Sequence, residues 1–170
     1  MDRRRKISAH RVLMKSPKPL ILDFKYPDRA KLLRFPWPWA DGSVAEFKCA
    51  EIFQYVPQQK RLAFMEELYR VLAREGKATI LTTYYAGGMA VADYELEWPP
   101  ICEQSFLFFN KKWREANQIM APIACDFDFQ YGFAWAPEVA SRAAEVQAEF
   151  LKSRLNVAQK LQVVLTKVKV

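Results

Sequence analysis

Short apolar runs along the chain alternate with segments whose apolar residues recur at helical spacing. The runs have the length and alternation of strands; they lie at 20–24, 44–49, 77–84, 124–131 and 161–168. The other segments carry apolar side chains every three or four residues, as amphipathic helices do; they span 57–75, 103–117 and 137–157. Strands that alternate with helices predict an α/β sandwich whose sheet is mainly parallel.

The helix predicted after Pro57 has the clearest limits. Proline is favoured in the first turn of a helix, and Gly76 suits the position of positive φ that follows a helix. Apolar spacing predicts the buried face of this helix as Leu62, Met65, Leu68, Tyr69 and Leu72. The apolar run at 20–24 predicts a short buried strand before it.

Composition indicates a globular protein, because half of the 170 residues are apolar and 14% are aromatic. No apolar run approaches the roughly 18 residues that cross a bilayer, and no signal-like apolar segment follows Arg4 and Arg5, so we expect a soluble, cytoplasmic protein. The three cysteines, Cys49, Cys102 and Cys125, are far apart and odd in number. This spacing predicts reduced thiols and no metal site.

The net charge of +7 belongs mostly to the first nineteen residues, which hold seven basic side chains and one acidic one. The chain therefore divides into a basic arm at 1–19 and a domain at 20–170. A basic arm can bind nucleic-acid phosphates, here through Arg3, Arg4, Arg5 and Lys6. A solvated terminus and a targeting segment are the alternatives.

Two stretches resemble the later part of class I S-adenosylmethionine-dependent methyltransferases. FPWPWADGSV at 35–44 is similar to the "lPf.d.SfD" stretch before the fourth strand of that family. ELYRVLAREG at 67–76 is similar to the family helix that ends "ELyRVLkPGG", with Arg74 and Glu75 in place of Pro-Gly. The segments 98–106 and 161–167 resemble a phage-associated branch of the family.

The resemblance covers about residues 20–170. It implies a truncated Rossmann-like sheet and S-adenosylmethionine as the cofactor of the protein. It implies that Phe35, Trp37, Ala50 and Glu51 face this cofactor. The two aromatic rings could stack on adenine, or they could fill space that a lost cofactor left. Glu51 is the best-placed carboxylate, and a charge at a helix start is the alternative role.

The resemblance also places three aromatic residues on the side where a methyl acceptor approaches. Tyr84 and Tyr85 follow the strand that corresponds to the family's fifth, and Trp98 begins a rigid Trp-Pro-Pro loop. Lining a cleft or filling the core is the alternative role for the tyrosines. No residue is assigned to catalysis.

The glycine-rich loop that holds the cofactor in this family is missing. The five glycines are Gly42, Gly76, Gly87, Gly88 and Gly132. In the best candidate for a first strand, at 20–25, Lys25 takes the place of the first glycine, where its side chain would occupy cofactor space. The stretch from there to Phe35 is too short for a helix and two more strands.

The sequence therefore leaves more than one function open. The first is an S-adenosylmethionine-dependent methyltransferase-like protein with a divergent or degenerate cofactor site, whose activity is in doubt. The alternative is a non-catalytic scaffold that binds nucleic acid or protein. A third, a different reaction on the same cofactor, has no motif behind it. A homo-oligomer is a corollary of the first function, in which a partner subunit could complete the cofactor pocket. The second function also favours self-association, because lost strands leave an open sheet edge.

Overall fold

The computed structural model describes residues 20–25 and 28–168. Five strands form one sheet: β1 (Leu20–Lys25), β2 (Val44–Ala50), β3 (Leu72–Thr83), β4 (Phe127–Trp135) and β5 (Ala158–Lys167). The helices of the described residues are α1 (Arg29–Leu32), α2 (Gln58–Val71), α3 (Met89–Ala92), α4 (Lys111–Ala116), α5 (Pro137–Ala140) and α6 (Ala144–Ser153). Two 3₁₀ segments lie at Phe53–Tyr55 and Glu103–Phe109. The predicted α/β class, with an open sheet and flanking helices, is confirmed.

The sheet is mixed, so the prediction of a mainly parallel sheet was wrong. The strand order is β1-β2-β3-β5-β4. β1 pairs parallel with β2 and β2 with β3, whereas β5 runs antiparallel to both of its neighbours, β3 and β4. Side-chain periodicity reports which residues of a strand face the core and contains no information on strand direction, which explains the error.

β1 lies at the edge of the sheet and is not the buried strand that its apolar sequence predicts. Within the described residues it pairs only with β2. Ile21 is 66% exposed, while Leu22 and Phe24 turn inward and pack against the core. The ring centroid of Phe24 lies 5.4 Å from that of Phe47 on β2. Only one face of β1 is therefore covered.

α2 packs on the sheet through Phe64, Met65, Leu68 and Val71. Leu62, which was predicted on the buried face, is 37% exposed. The predicted start is right, since Pro57 is the N-cap.

The predicted end of α2 is wrong, because the chain turns directly into β3 at Leu72. Gly76 does not end the helix and lies inside β3. The positive φ falls on Glu75, at 60°. A Cβ at Gly76 would lie 2.8 Å from the carbonyl oxygen of Ala73. Gly76 is thus required for close packing of the backbone and not for its own φ.

The two later helical segments are each divided. Asn110 separates the 3₁₀ segment Glu103–Phe109 from α4: its Oδ1 accepts the backbone N–H of Trp113 at 2.8 Å, and its Nδ2 donates to the carbonyl of Phe127 at 2.8 Å. This is an N-cap, and it also attaches α4 to β4. The segment 137–157 divides into α5 and α6 around 141–143.

Arg70 on α2 fastens the proline-rich loop 35–43 to the helix. Its Nη2 donates to the Trp37 carbonyl at 3.0 Å, and its Nη1 donates to the Trp39 carbonyl at 2.9 Å and to Asp41 Oδ1 at 2.6 Å. It also forms two 2.8 Å bonds with the Glu67 carboxylate. These charge-assisted bonds raise the pKa of Arg70 and lower that of Glu67.

Candidate functional site

Ala50 and Glu51 lie where β2 ends, beside the end of β3. Ala50 pairs with Leu81, and the Glu51 backbone N–H donates to the Leu81 carbonyl at 2.9 Å. Glu51 has a φ of 58°, a conformation that non-glycine residues seldom adopt. This bend turns its side chain toward β5, where Lys160 Nζ lies 2.6 Å from Glu51 Oε1. The carboxylate that was predicted to face the cofactor is thus paired with a lysine of the same chain.

A short polar chain continues from Glu51 into the core. Glu51 Oε2 accepts the Gln54 side-chain amide at 3.0 Å, and Gln54 Oε1 accepts the Thr82 hydroxyl at 3.0 Å. Gln54 and Thr82 are buried, so these bonds satisfy groups that water does not reach. The four residues Lys160, Glu51, Gln54 and Thr82 form a connected network. Sequence reasoning missed Lys160, which is distant in the chain.

Trp37 is a core residue. It is 3% exposed, its ring stacks on Phe47 with centroids 5.3 Å apart, and it meets the Phe64 ring edge-on at 5.1 Å. Its indole N–H donates to the Leu32 carbonyl at 3.1 Å. Phe35 is half-buried, with its centroid 6.1 Å from that of Trp37. This packing favours the space-filling role over a cofactor contact, which stays a prediction for both residues.

The structure brings Tyr85 and Trp98 together. They line one cavity of about 380 Å³, with Pro100, Cys102, Glu103 and Gln104. Tyr85 is 47% exposed and Trp98 76% exposed, so both rings are accessible to a ligand. The backbone N–H of Tyr85 donates to the Ile101 carbonyl at 2.9 Å and holds the two segments side by side. The acceptor role of these residues remains a prediction.

Tyr84 points to a second cavity of about 510 Å³, on the other side of Tyr85 and Glu103. We call this cavity the aromatic groove; its walls are Tyr84, Tyr85, Glu103, Tyr131, Phe133, Trp135 and the α6 residues Ala144, Gln147, Ala148, Leu151 and Lys152. Burial, followed by the neighbouring Glu103 carboxylate, raises the pKa of Tyr84 far above its usual range. Tyr84 therefore stays protonated at neutral pH and is unsuited to act as a general base.

Two other cavities lie away from the predicted site residues. One of about 630 Å³ lies between α4 and the loop at 119–126, and one of about 430 Å³ lies between Trp113, the start of β4 and the end of β5. None of the four cavities is lined by Phe35, Trp37, Ala50 or Glu51. Within 20–25 and 28–168 no group of three or more His, Cys, Asp or Glu side chains is arranged to hold a metal ion. No helix in those same ranges has the length and apolar character to cross a membrane.

The basic arm lies outside the described residues, and Arg3, Arg4, Arg5 and Lys6 with it. Their predicted contact with nucleic acid has therefore no structural test. Lys25, which was predicted to occupy cofactor space, is exposed at the end of β1.

Two of the three thiols are unsuited to nucleophilic chemistry. Cys49 and Cys125 are buried, and desolvation raises the pKa of each to about 12. Cys102 is half-buried and lines the cavity with Trp98. We expect a thiol reagent to modify Cys102 in the folded protein and the other two only after unfolding. Peptide mass spectrometry of protein labelled with and without denaturant measures this, and rapid labelling of Cys49 in the folded state would contradict it.

Comparison with known proteins gives a result for structure only. No protein-family model matches the sequence, and no curated protein matches it significantly. A SAM-dependent methyltransferase from Archaeoglobus fulgidus has a similar structure, with a TM-score of 0.50 and 11% sequence identity over 76% of this chain. This chain spans 62% of that protein, which is less than two thirds of its length.

Geranyl diphosphate C-methyltransferase from Streptomyces coelicolor gives a TM-score of 0.45 and 14% identity, covering 81% of this chain and 51% of that one. Sequence identities this low concern the fold alone. The strand order and flanking helices described above are consistent with that similarity. The chain thus has the fold of S-adenosylmethionine-dependent methyltransferases, with a truncated sheet of five strands.

Proposed function

We propose that this chain is an S-adenosylmethionine-dependent methyltransferase-like protein whose cofactor site is degenerate, so that it binds this cofactor far more weakly than an active methyltransferase. The ion pair between Lys160 and Glu51 carries the proposal. S-adenosylmethionine is a sulfonium cation. A resident ammonium 2.6 Å from the one carboxylate expected to face the cofactor neutralises that carboxylate and repels the sulfonium cation.

The connection between β1 and β2 supports the same proposal. A loop that binds a cofactor at the end of a strand needs glycines, because they let the ligand approach the backbone. The first glycine of this chain is Gly42, which lies at the far end of the connection. The same connection places Trp37 in the core, with its backbone N–H donating to Glu67 Oε2 at 2.6 Å. The connection between β1 and β2 thus packs against the core.

Calorimetric titration with S-adenosylmethionine and S-adenosylhomocysteine tests the proposal, with an active methyltransferase as the positive control. We expect no saturable heat and no rise in melting temperature. A ligand at one hundred times its Kd would stabilise the fold by about 2.7 kcal/mol, which a thermal scan detects easily. Saturable micromolar binding that is lost in Glu51→Gln and kept in Glu46→Gln would contradict the proposal and show a rebuilt, working site.

A second candidate function is a non-catalytic scaffold that binds nucleic acid or protein, including a second copy of the chain. The observation in its favour is the partly exposed edge strand β1, with Ile21 66% exposed, which follows the basic arm directly in sequence. Titration with DNA and RNA at two salt concentrations, with sedimentation to give the oligomeric state, tests it. A monomeric protein that binds neither DNA nor RNA would rule out a nucleic acid and a second copy of the chain as partners. The phage-associated branch and the cytoplasmic location remain predictions from the resemblance and the composition.

A further inference from the structure

The walls of the aromatic groove form a continuous row of rings. Centroid distances are 4.8 Å for Tyr85 and Tyr84, 5.1 Å for Tyr84 and Phe133, 5.7 Å for Phe133 and Tyr131, and 5.2 Å for Phe133 and Trp135. Three of these pairs are edge-on and the fourth is tilted, so different rings present their faces in different directions. The exposed rings of Tyr85 and Tyr131 and the half-buried rings of Phe133 and Trp135 can contact a ligand, whereas Tyr84 is buried behind them.

The chain builds this groove from two simple patterns. Tyr131, Phe133 and Trp135 occupy alternate positions of β4 and therefore share one face of the sheet. α6 lies over that face, and it presents Ala144 and Ala148 one turn apart. Because alanine side chains are short, the helix leaves a cavity of about 510 Å³ over the rings. That volume is in the range of small-molecule sites.

Glu103 supplies a negative charge at the boundary between the groove and the neighbouring cavity with Trp98. The Tyr84 hydroxyl interacts with the Glu103 carboxylate, whose buried Oε2 has no hydrogen-bond partner of ordinary geometry among the described residues. The first turn of its 3₁₀ segment is held by the Cys102 backbone N–H, which donates to Ser105 Oγ at 3.1 Å. A buried carboxylate oxygen without a partner is unfavourable, so a ligand that neutralised it would be stabilised there.

Lys152 is the other charged residue that lines the groove, and its positive charge opposes the binding of a cation. Lys152 lies in the last turn of α6 and is exposed, so water screens its ammonium. The Glu103 oxygen is shielded from water, and charges interact more strongly in such surroundings. The carboxylate therefore dominates the electrostatic preference of the groove.

We propose that the aromatic groove binds a small organic cation, with an ammonium group held against the ring faces and close to Glu103. Ring faces attract cations, and aromatic residues beside a carboxylate suit quaternary and methylated ammonium groups in particular. The proposal does not depend on S-adenosylmethionine, because none of the groove residues belongs to the Glu51 network. Because S-adenosylmethionine is itself a cation, weak binding of it that Glu103→Gln abolishes and Glu51→Gln leaves unchanged would belong to the aromatic groove, so the two proposals can fail separately.

Calorimetry of the full chain with choline and with its uncharged isostere 3,3-dimethyl-1-butanol is the direct test. The two ligands have the same shape and differ in the positive charge. We expect choline to bind about tenfold or more tightly than the alcohol, which is the effect of a desolvated cation–π contact. Equal binding of the two would overturn the proposal and leave an apolar pocket, and so would binding of neither.

Variants of the two charged residues, Glu103 and Lys152, test whether the groove prefers a cation or an anion. Glu103→Gln keeps the size of the side chain and is expected to weaken choline binding about tenfold, whereas Lys152→Gln is expected to strengthen it. Glu138→Gln, at an exposed position of α5 outside the lining of the groove, is the charge-matched control and should change nothing. The opposite signs would show that the groove prefers an anion.

Glu103→Gln could fail to bind choline because it misfolds, so a second variant at an exposed residue of the groove is needed. Tyr131 is 52% exposed, so Tyr131→Ala should fold normally and still weaken choline binding, while Tyr94→Ala should not, since Tyr94 is 93% exposed and does not line the groove. Retained binding in Tyr131→Ala would overturn the role of the rings. A peptide carrying trimethyllysine, titrated beside choline, distinguishes a protein-borne ammonium from a free metabolite.

Discussion

Replacing Trp37 with alanine is expected to lower the free energy of unfolding by about 3–5 kcal/mol, the usual loss for a large aromatic removed from a core. The indole stacks on Phe47, meets Phe64 edge-on and donates to the Leu32 carbonyl, and all of these contacts would be lost. Domains of this size have about 5–15 kcal/mol of stability, so the variant should lose a large fraction of it. Urea denaturation followed by circular dichroism measures the change.

Trp98→Ala is the matched control, because Trp98 is 76% exposed and its removal should change stability by about 0.5 kcal/mol or less. The comparison also decides between the two roles considered for Trp37. A stable Trp37→Ala variant would show that the ring does not stabilise the free protein, which is the behaviour of a residue that serves as a ligand contact. A large loss of stability would assign it to the core.

Arg70→Met is expected to lower the free energy of unfolding by about 1.5–3 kcal/mol, the range for hydrogen bonds to a charged group. Methionine keeps the unbranched stem and removes the guanidinium, so the carbonyls of Trp37 and Trp39 lose their donor. The loop 35–43 would then be attached to α2 mainly by its aromatic packing. Chemical denaturation at neutral pH measures the effect, with exposed Arg74→Met as the control.

The pH dependence of the Arg70 variant gives an independent check. The hydrogen bonds from Arg70 are the main reason that the pKa of Glu67 lies below its ordinary value. Their contribution is present at neutral pH and is lost as the pH falls through the folded-state pKa of Glu67. The difference in stability between the wild type and Arg70→Met should therefore narrow below about pH 4. A difference that is constant from pH 7 to pH 3 would contradict this account.

The positions of the elements could be read from the sequence, and their arrangement could not. β2, the start of α2 and β5 follow apolar patterns that neighbouring residues define. The edge position of β1 and the reversed direction of β5 depend on pairing between segments far apart in the chain, which local periodicity does not encode. Gly76 illustrates the same limit: its need to be glycine comes from the carbonyl of Ala73, not from a helix end.

The candidate site was predicted in part for the same reason. The sequence places Tyr84 and Tyr85 at the end of β3, and there the structure opens two cavities. The pairing of Lys160 with Glu51 and the position of Glu103 required the folded chain. One signal was available: the alternation of aromatic residues continues past Gly132 to Phe133 and Trp135. A strand extended to residue 135 would have predicted an aromatic face on β4.

The position of β5 has a consequence for synthesis of the protein on the ribosome. β5 is made after the other four strands, yet it lies between β3 and β4 and provides the pairing partner of both. At about 5–20 residues per second, β3 waits for several seconds with one edge open before β5 emerges. Strand edges exposed in that interval favour aggregation. Nascent chains stalled just before β5 should therefore depend on chaperones far more than the completed chain does.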